Sequence, residues 1–269
     1  LFSHGVKLNE DMISFNRDEI VDDLVTEEEH FFHEGSSMRK IGDTYYYVYA
    51  DMERGKPTSL GYSTSKSPMG PFTYRGIIID NDGCDPASWN NHGSIECVNG
   101  QWYVFYHRCS RGVQQHRRLC IEKIEILEDG TIPEVKMTSQ GIGEPFAPRE
   151  VIKGYQACEM SGSVYIGVNE DVESAEEYPE VLMNISAGDE VMFRYVKSEQ
   201  EWKEIEILYS GAGKIQVYMN EKIVGTINCD KVQGVNVAKS SIKCSSGQYE
   251  LKLRFELAGQ IKIYQVIVR

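Results

Sequence analysis

GSSMRKIGDTYYYVYA, residues 35–50, and GSIECVNGQWYVFYH, residues 93–107, are the stretches whose reading decides the fold. Displaced by 58 positions they superimpose: Gly35 falls on Gly93, Ser36 on Ser94, Gly42 on Gly100, Tyr45 on Tyr103 and Tyr47 on Phe105. Each reads as a strand opening Gly-Ser, a turn through Gly42 or Gly100 beside a polar residue, then an aromatic strand. A second strand pair follows each copy, LGYSTSK and FTYRGIII after the first, RRLCIEKIEI and TIPEVKM after the second. Four short strands in about 50–60 residues is the size of one propeller blade. A chance likeness between two hairpins of an ordinary sandwich is the competing reading, and the sustained spacing weighs against it.

The same displacement sets Glu34 on His92 at the head of each repeat. In a propeller the innermost strands line a central channel, so equivalent positions converge on one axis. Glu34 and His92 are therefore expected to face a common cavity, far apart as they are in sequence. A carboxylate at the entrance to a buried aromatic strand needs a partner or a job, and a titratable pair in a cavity is where chemistry belongs.

The rest of the chain sets bounds. Its 269 residues suit one large or two ordinary domains. A net charge of −13 argues against a nucleic-acid partner, which needs clustered cations. No run of 18 apolar residues exists, so no membrane span is expected. Seven dispersed cysteines without CxxC spacing form neither a zinc site nor a dense disulfide framework, and most read as buried apolar side chains. All six histidines precede residue 117, which gives the first half the capacity for acid–base chemistry. EIVDDLVTEEE, residues 19–29, reads as a solvated acidic loop. QGIGEPFAPREVIKG, residues 140–154, carries the glycines and prolines of a join between domains. Both halves read as β-structure, and no long stretch has a helical period.

FHEGSSMRKIGDTYYYVYA (32–50), NNHGSIECVNGQWYVFYHR (90–108) and RRLCIEKIEILEDGTIPEVKMTSQG (117–141) together resemble the last two blades of glycoside hydrolase family 43, over about residues 1–145. The resemblance implies a five-bladed β-propeller that cleaves arabinose- and xylose-containing polysaccharides with inversion. It implies that Glu34, in the family's E-G/A-S-S position, is the general acid, and that Ser36, His92 and Arg117 bind substrate. It also implies that His92 sits at the axis, where many members hold calcium directly or through water. Inversion needs a protonated acid and a carboxylate base about 6.5–9.5 Å away, with the acid's pKa raised by burial. A guanidinium paired with Glu34 would oppose that rise, so Arg117 is expected to meet substrate or another carboxylate.

Five such blades need roughly 290 residues. Only two fit before the join, plus VKLNEDMISF (6–15), expected as an outer strand of a third. The family's base and its second aspartate precede the acid, nothing in residues 1–33 matches them, and Asp11 is assigned to neither role. The sequence is thus expected to have lost its N-terminal portion; completion by another chain, or a non-catalytic remnant, are the alternatives.

Residues 155–269, after a linker at 146–154, have a jelly-roll rhythm of strands: VYIGV, VLMNI, EVMFRYV, EWKEIEILYS, KIQVYM, VGTIN, YELKLRF and KIYQVIV. SGAGKIQVYMNEKIVGTI (210–227) and GQYELKLRF (247–255) resemble carbohydrate-binding module family 6, a β-sandwich. That family grips sugar between a tyrosine and a tryptophan, helped by an asparagine near the C-terminus. Here KVQGVNVAK (231–239) lacks the aromatic and KIYQVIVR (262–269) lacks the asparagine. A structural role, or a cleft on the sandwich face, is therefore favoured over the usual cleft, and Trp202 is expected to pack. The chain reads as an all-β hydrolase of α-L-arabinofuranosidase or β-xylosidase type acting on plant cell-wall arabinoxylan, or else as a protein that binds such polysaccharide without cleaving it.

Overall fold

Every residue of Tyr46–Asp51 is buried, which a strand achieves only with both faces covered. In the computed structural model, which describes residues 1–171 and 173–269 (the side chains of residues 232 and 233 excepted), the chain forms two compact units. The first comprises residues 1–81, 89–107 and 119–136; the second comprises 82–88, 108–118 and 137–269.

The first unit opens with a two-stranded ribbon, β1 (Phe2–Gly5) and β2 (Val21–Thr26). An antiparallel meander follows: β3 (Phe32–Ile41), β4 (Thr44–Asp51), β5 (Ser59–Ser65) and β6 (Thr73–Asp80). β7 (Ser94–Val98), β8 (Gln101–Ser110) and β9 (Val113–Ile124) form a three-stranded sheet, the 108–118 end of which groups with the second unit. Leu24, Val25, Phe32, Tyr47, Tyr49 and Phe72 make one core cluster of this unit. The two expected hairpins form, but with turns of different register. Ile41 pairs with Thr44 around Gly42, whereas Val98 pairs with Gln101 around Asn99 and Gly100. Asn99 and Gly100 both take positive φ, as a tight two-residue hairpin turn requires. The aligned glycines therefore occupy different turn positions.

Three expectations for this unit are corrected. TIPEVKM does not form a fourth strand: Val135 makes one parallel bridge to Ile79, its N–H donating to Ile78 O at 2.8 Å. Pro133, without an N–H, interrupts any longer ladder. VKLNEDMISF is a turn closed by a single Leu8–Phe15 bridge. Asp11 Oδ1 takes the N–H groups of Ile13 and Ser14, both at 2.9 Å, and this local side-chain bonding replaces a ladder. The acidic run is structured, with Leu24 and Val25 buried in β2 and a helical turn at Glu27–His30 whose N-cap, Thr26, accepts from Glu29 N.

The second unit holds β10 (Ile152–Lys153), β11 (Glu159–Met160), β12 (Tyr165–Val168), β13 (Glu180–Met183), β14 (Glu190–Ser198), β15 (Trp202–Met219), β16 (Lys222–Cys244) and β17 (Gly247–Val268). Segments that read as separate strands are continuous here: EWKEIEILYS and KIQVYM are both β15, and YELKLRF and KIYQVIV are both β17. Bulges between Ser210 and Ala212 and between Lys214 and Ile215 let β15 bend without breaking its pairing to β17. Gly211 (φ +85°) makes the bend possible, since a Cβ there would meet Gln260 O at 2.4 Å. Trp202, Phe193, Val217, Leu253 and Phe255 lie in the core, so Trp202 packs as expected. Residues 146–154 hydrogen-bond into this unit: Phe146 N donates to Tyr195 O at 2.9 Å and Arg149 N to Val268 O at 2.8 Å. Arg194, buried in this unit, ion-pairs with Glu159 at 2.9 Å and Glu250 at 2.8 Å and donates to Met137 O. All seven cysteines are free thiols, and burial pushes Cys84 and Cys229 up to about 12.

Candidate active site

Two β-bulges flank Glu34: the pairing of β3 with β4 shifts between Phe32 and Glu34 and again between Glu34 and Ser36. Gly35 sits in this kink at φ +54°, a conformation that glycine adopts without strain. Bulges re-aim side chains, and here the carboxylate is turned onto the segment 90–92. His92 Nε2 lies 3.1 Å from Glu34 Oε1. The two heads of the repeat thus meet, as the 58-residue displacement predicts.

The approach is close. A Cβ on Gly35 would fall 2.8 Å from His92 Cδ2, so the imidazole lies directly on the glycine. The repeat-equivalent Gly93 is needed for a different contact, since a Cβ there would fall 2.1 Å from Phe105 O. His92 N donates to His107 Nδ1 at 3.2 Å, and the two rings meet edge to face, 5.9 Å apart.

Asn90 completes the site. Its Nδ2 donates to Glu34 Oε1 at 3.1 Å. Its main-chain carbonyl accepts from Asn81 Nδ2 at 3.0 Å, and the same Asn81 amide reaches His107 O at 2.7 Å. Asn91 anchors the segment through Thr58 O at 3.0 Å. Asn81 and Asn91 are wholly buried and Asn90 nearly so, and together they anchor the main chain of segment 90–92. Asn90 went unremarked in the sequence because a lone asparagine carries no signal. Its place beside His92 in NNHG was the only available hint.

The electrostatics differ from the expected raised pKa. The Glu34 carboxyl is held below the usual glutamate value, first by the Asn90 amide, against a partial desolvation, then by His92 and His33. The physical reason is exposure: the Glu34 side chain is 48% accessible, so burial penalises its charge too little to outweigh the donors.

Ser36 is exposed, and its Oγ accepts from Tyr47 OH at 2.9 Å, close along β3 to Glu34. Arg117 lies on β9 in the 108–118 segment that groups with the second unit, its side chain exposed. The first unit therefore brings Glu34 and His92 together, with Ser36 nearby on the same strand.

A calcium ion at His92 does not fit these residues. Calcium takes six to eight oxygens, while His92 turns its Nε2 to Glu34. Among the described residues no group of three or more His, Cys, Asp or Glu is placed to hold a metal.

The family model described as glycosyl hydrolases family 43 matches residues 4–132, which contain Glu34, Ser36, His92 and Arg117. This part of the chain is similar to glycosyl hydrolase family 43. A xylosidase/arabinosidase from Thermoclostridium stercorarium is 41% identical over 181 residues, 61% of this chain. The chain spans 37% of the length of that relative. Among solved structures, a family 43 arabinoxylan arabinofuranohydrolase from Bacillus subtilis in complex with cellotetraose aligns with 98% of this chain and 58% of its own, at 23% identity and TM-score 0.49. A β-1,3-glucan-binding family 6 module from Bacillus halodurans aligns with 47% of this chain and 99% of its own, at 17% identity and TM-score 0.42.

Proposed function

We propose that this chain contributes the general acid, Glu34, to an inverting glycosidase that removes arabinofuranosyl or xylosyl units from arabinoxylan or a related plant cell-wall polysaccharide. The observation that carries the reading is the 3.1 Å contact between Glu34 and His92 across the repeat. In this reading His92 and Ser36 border the sugar beside the acid, and Arg117 binds substrate once the site is assembled. The four-stranded meander and the three-stranded sheet are two blades of a five-bladed propeller, and the second unit is a family 6-like module.

Glu34 in this chain is charged at neutral pH, and a general acid must carry a proton. The groups that set its pKa are Asn90, His92 and His33, none of them a carboxylate. The proposal therefore assigns the base, and a second carboxylate that pushes the acid upward, to sequence outside these 269 residues. Like charges brought close raise one pKa of a pair, which would switch Glu34 from anion to acid on assembly.

The test uses the whole protein. Glu34→Gln, nearly isosteric, is expected to lower turnover of arabinoxylan by about 10²–10⁴-fold. Turnover of nitrophenyl arabinofuranoside is expected to fall far less, because nitrophenolate leaves without a proton. Equal losses on both substrates would remove Glu34 from the acid role. Binding of polysaccharide without cleavage is the second reading, and a whole protein that retains arabinoxylan but hydrolyses neither substrate would favour it.

A further inference from the structure

Asn90 has one half of its amide used and the other half idle. Its Nδ2 faces Glu34 Oε1, while its Oδ1 is buried with no hydrogen-bond partner among the described residues. A buried acceptor without a partner is normally avoided, so its retention beside a titrating carboxyl points to a second arrangement. Turning the amide half a revolution about its last torsion exchanges the two ends. Oδ1 would then face the carboxyl and could accept a proton from it, which an ionised carboxylate cannot offer.

We infer that Asn90 is a positioning residue for Glu34 in both protonation states: it donates to the carboxylate, and after an amide flip it accepts from the protonated acid. This rests on Glu34 as the acid only for its use in catalysis; the hydrogen-bond switch itself does not. The anchoring fits the role. Asn90's backbone is held by Asn81, so its side chain can turn while its Cα stays in place. The other titratable groups acting on Glu34 are His92, at 3.1 Å, and the neighbouring His33. An amide never titrates, so Asn90 is a partner that serves at every pH.

The experiment is an NMR titration of this chain with labelled glutamate carboxyls, Glu34 being assigned by its disappearance in Glu34→Gln. In the wild type the Asn90 side-chain amide resonances are expected to shift with the Glu34 midpoint, and to lose that transition in Glu34→Gln. Asn90→Ala is expected to move the Glu34 midpoint upward. Should Asn90→Ala fail to fold, the same-shaped Asn90→Asp carries the test: it replaces a donor by a second carboxyl and must raise the midpoint as well. An unmoved Glu34 midpoint in the folded variant, or Asn90 resonances blind to the Glu34 transition, would overturn the inference. A midpoint that moves as expected, combined with equal losses on both substrates in Glu34→Gln of the whole protein, would keep the switch and remove only the catalytic assignment.

Discussion

Alanine at Gly35 adds one methyl group and tests the geometry of the whole site. Two effects follow from the coordinates. The backbone at Gly35 has φ +54°, and an L-residue held in the left-handed region costs roughly 1–2 kcal/mol. The new Cβ would also stand 2.8 Å from His92 Cδ2 and 2.9 Å from Nε2. That contact cannot persist, but the obstacle is a partly exposed side chain that can swing away. We therefore expect a folded protein, less stable by about 1–3 kcal/mol, in which His92 no longer reaches Glu34. Urea unfolding measures the first effect. The carboxyl titration of Glu34 measures the second: with one of its stabilising donors gone, the midpoint should rise toward the usual glutamate value. Gly93→Ala is the internal comparison. Its Cβ would fall 2.1 Å from Phe105 O, and backbone paired in a ladder cannot swing away, so the loss of stability should be larger. A Gly35→Ala protein within about 0.5 kcal/mol of wild type, with Glu34 titrating as before, would refute the argument that the bulge exists to seat His92 on the acid.

Other outcomes follow from the same physics. Arg194→Met should destabilise the second unit by about 3 kcal/mol, because breaking a buried pair strands its partner charges, here Glu159 and Glu250; chemical denaturation measures it. Burial raises Asp51 from its ordinary 3.8 up to about 6. The folded state then holds a proton that the unfolded chain has released, so stability should decline as pH rises from about 4 to about 6 and stay low above it, on the order of 3 kcal/mol in all. Asp51→Asn should flatten that slope, and an unchanged urea midpoint difference between pH 4 and pH 7 would contradict it. Adding calcium or a chelator should leave the melting temperature of this chain unchanged, since among the described residues no group of three or more His, Cys, Asp or Glu is placed to hold a metal; a chelator-sensitive transition would contradict that.

The bulge orients one carboxylate from within a single unit. Glu34 is held by a strand kink, an imidazole and a buried amide, all in the first unit, so its geometry is set there. A carboxyl nearly half exposed and surrounded by donors stays ionised, and only a further carboxylate or deeper burial can change that.

The sequence alone determined the β-strands of both halves, the repeat, and the meeting of residues 34 and 92. These features depend on local preference and period: aromatic runs bounded by glycine can do little but form strands, and repeated strands place equivalent positions alike. It misjudged the segments where a side chain competes with the ladder, as Asp11 does, or where a proline withholds a donor, as Pro133 does. Only the tertiary structure decided the protonation of Glu34 and the role of Asn90. A pKa depends on how much water reaches a group and which donors face it, and both are set by neighbours brought together from across the fold, which the order of residues does not reveal.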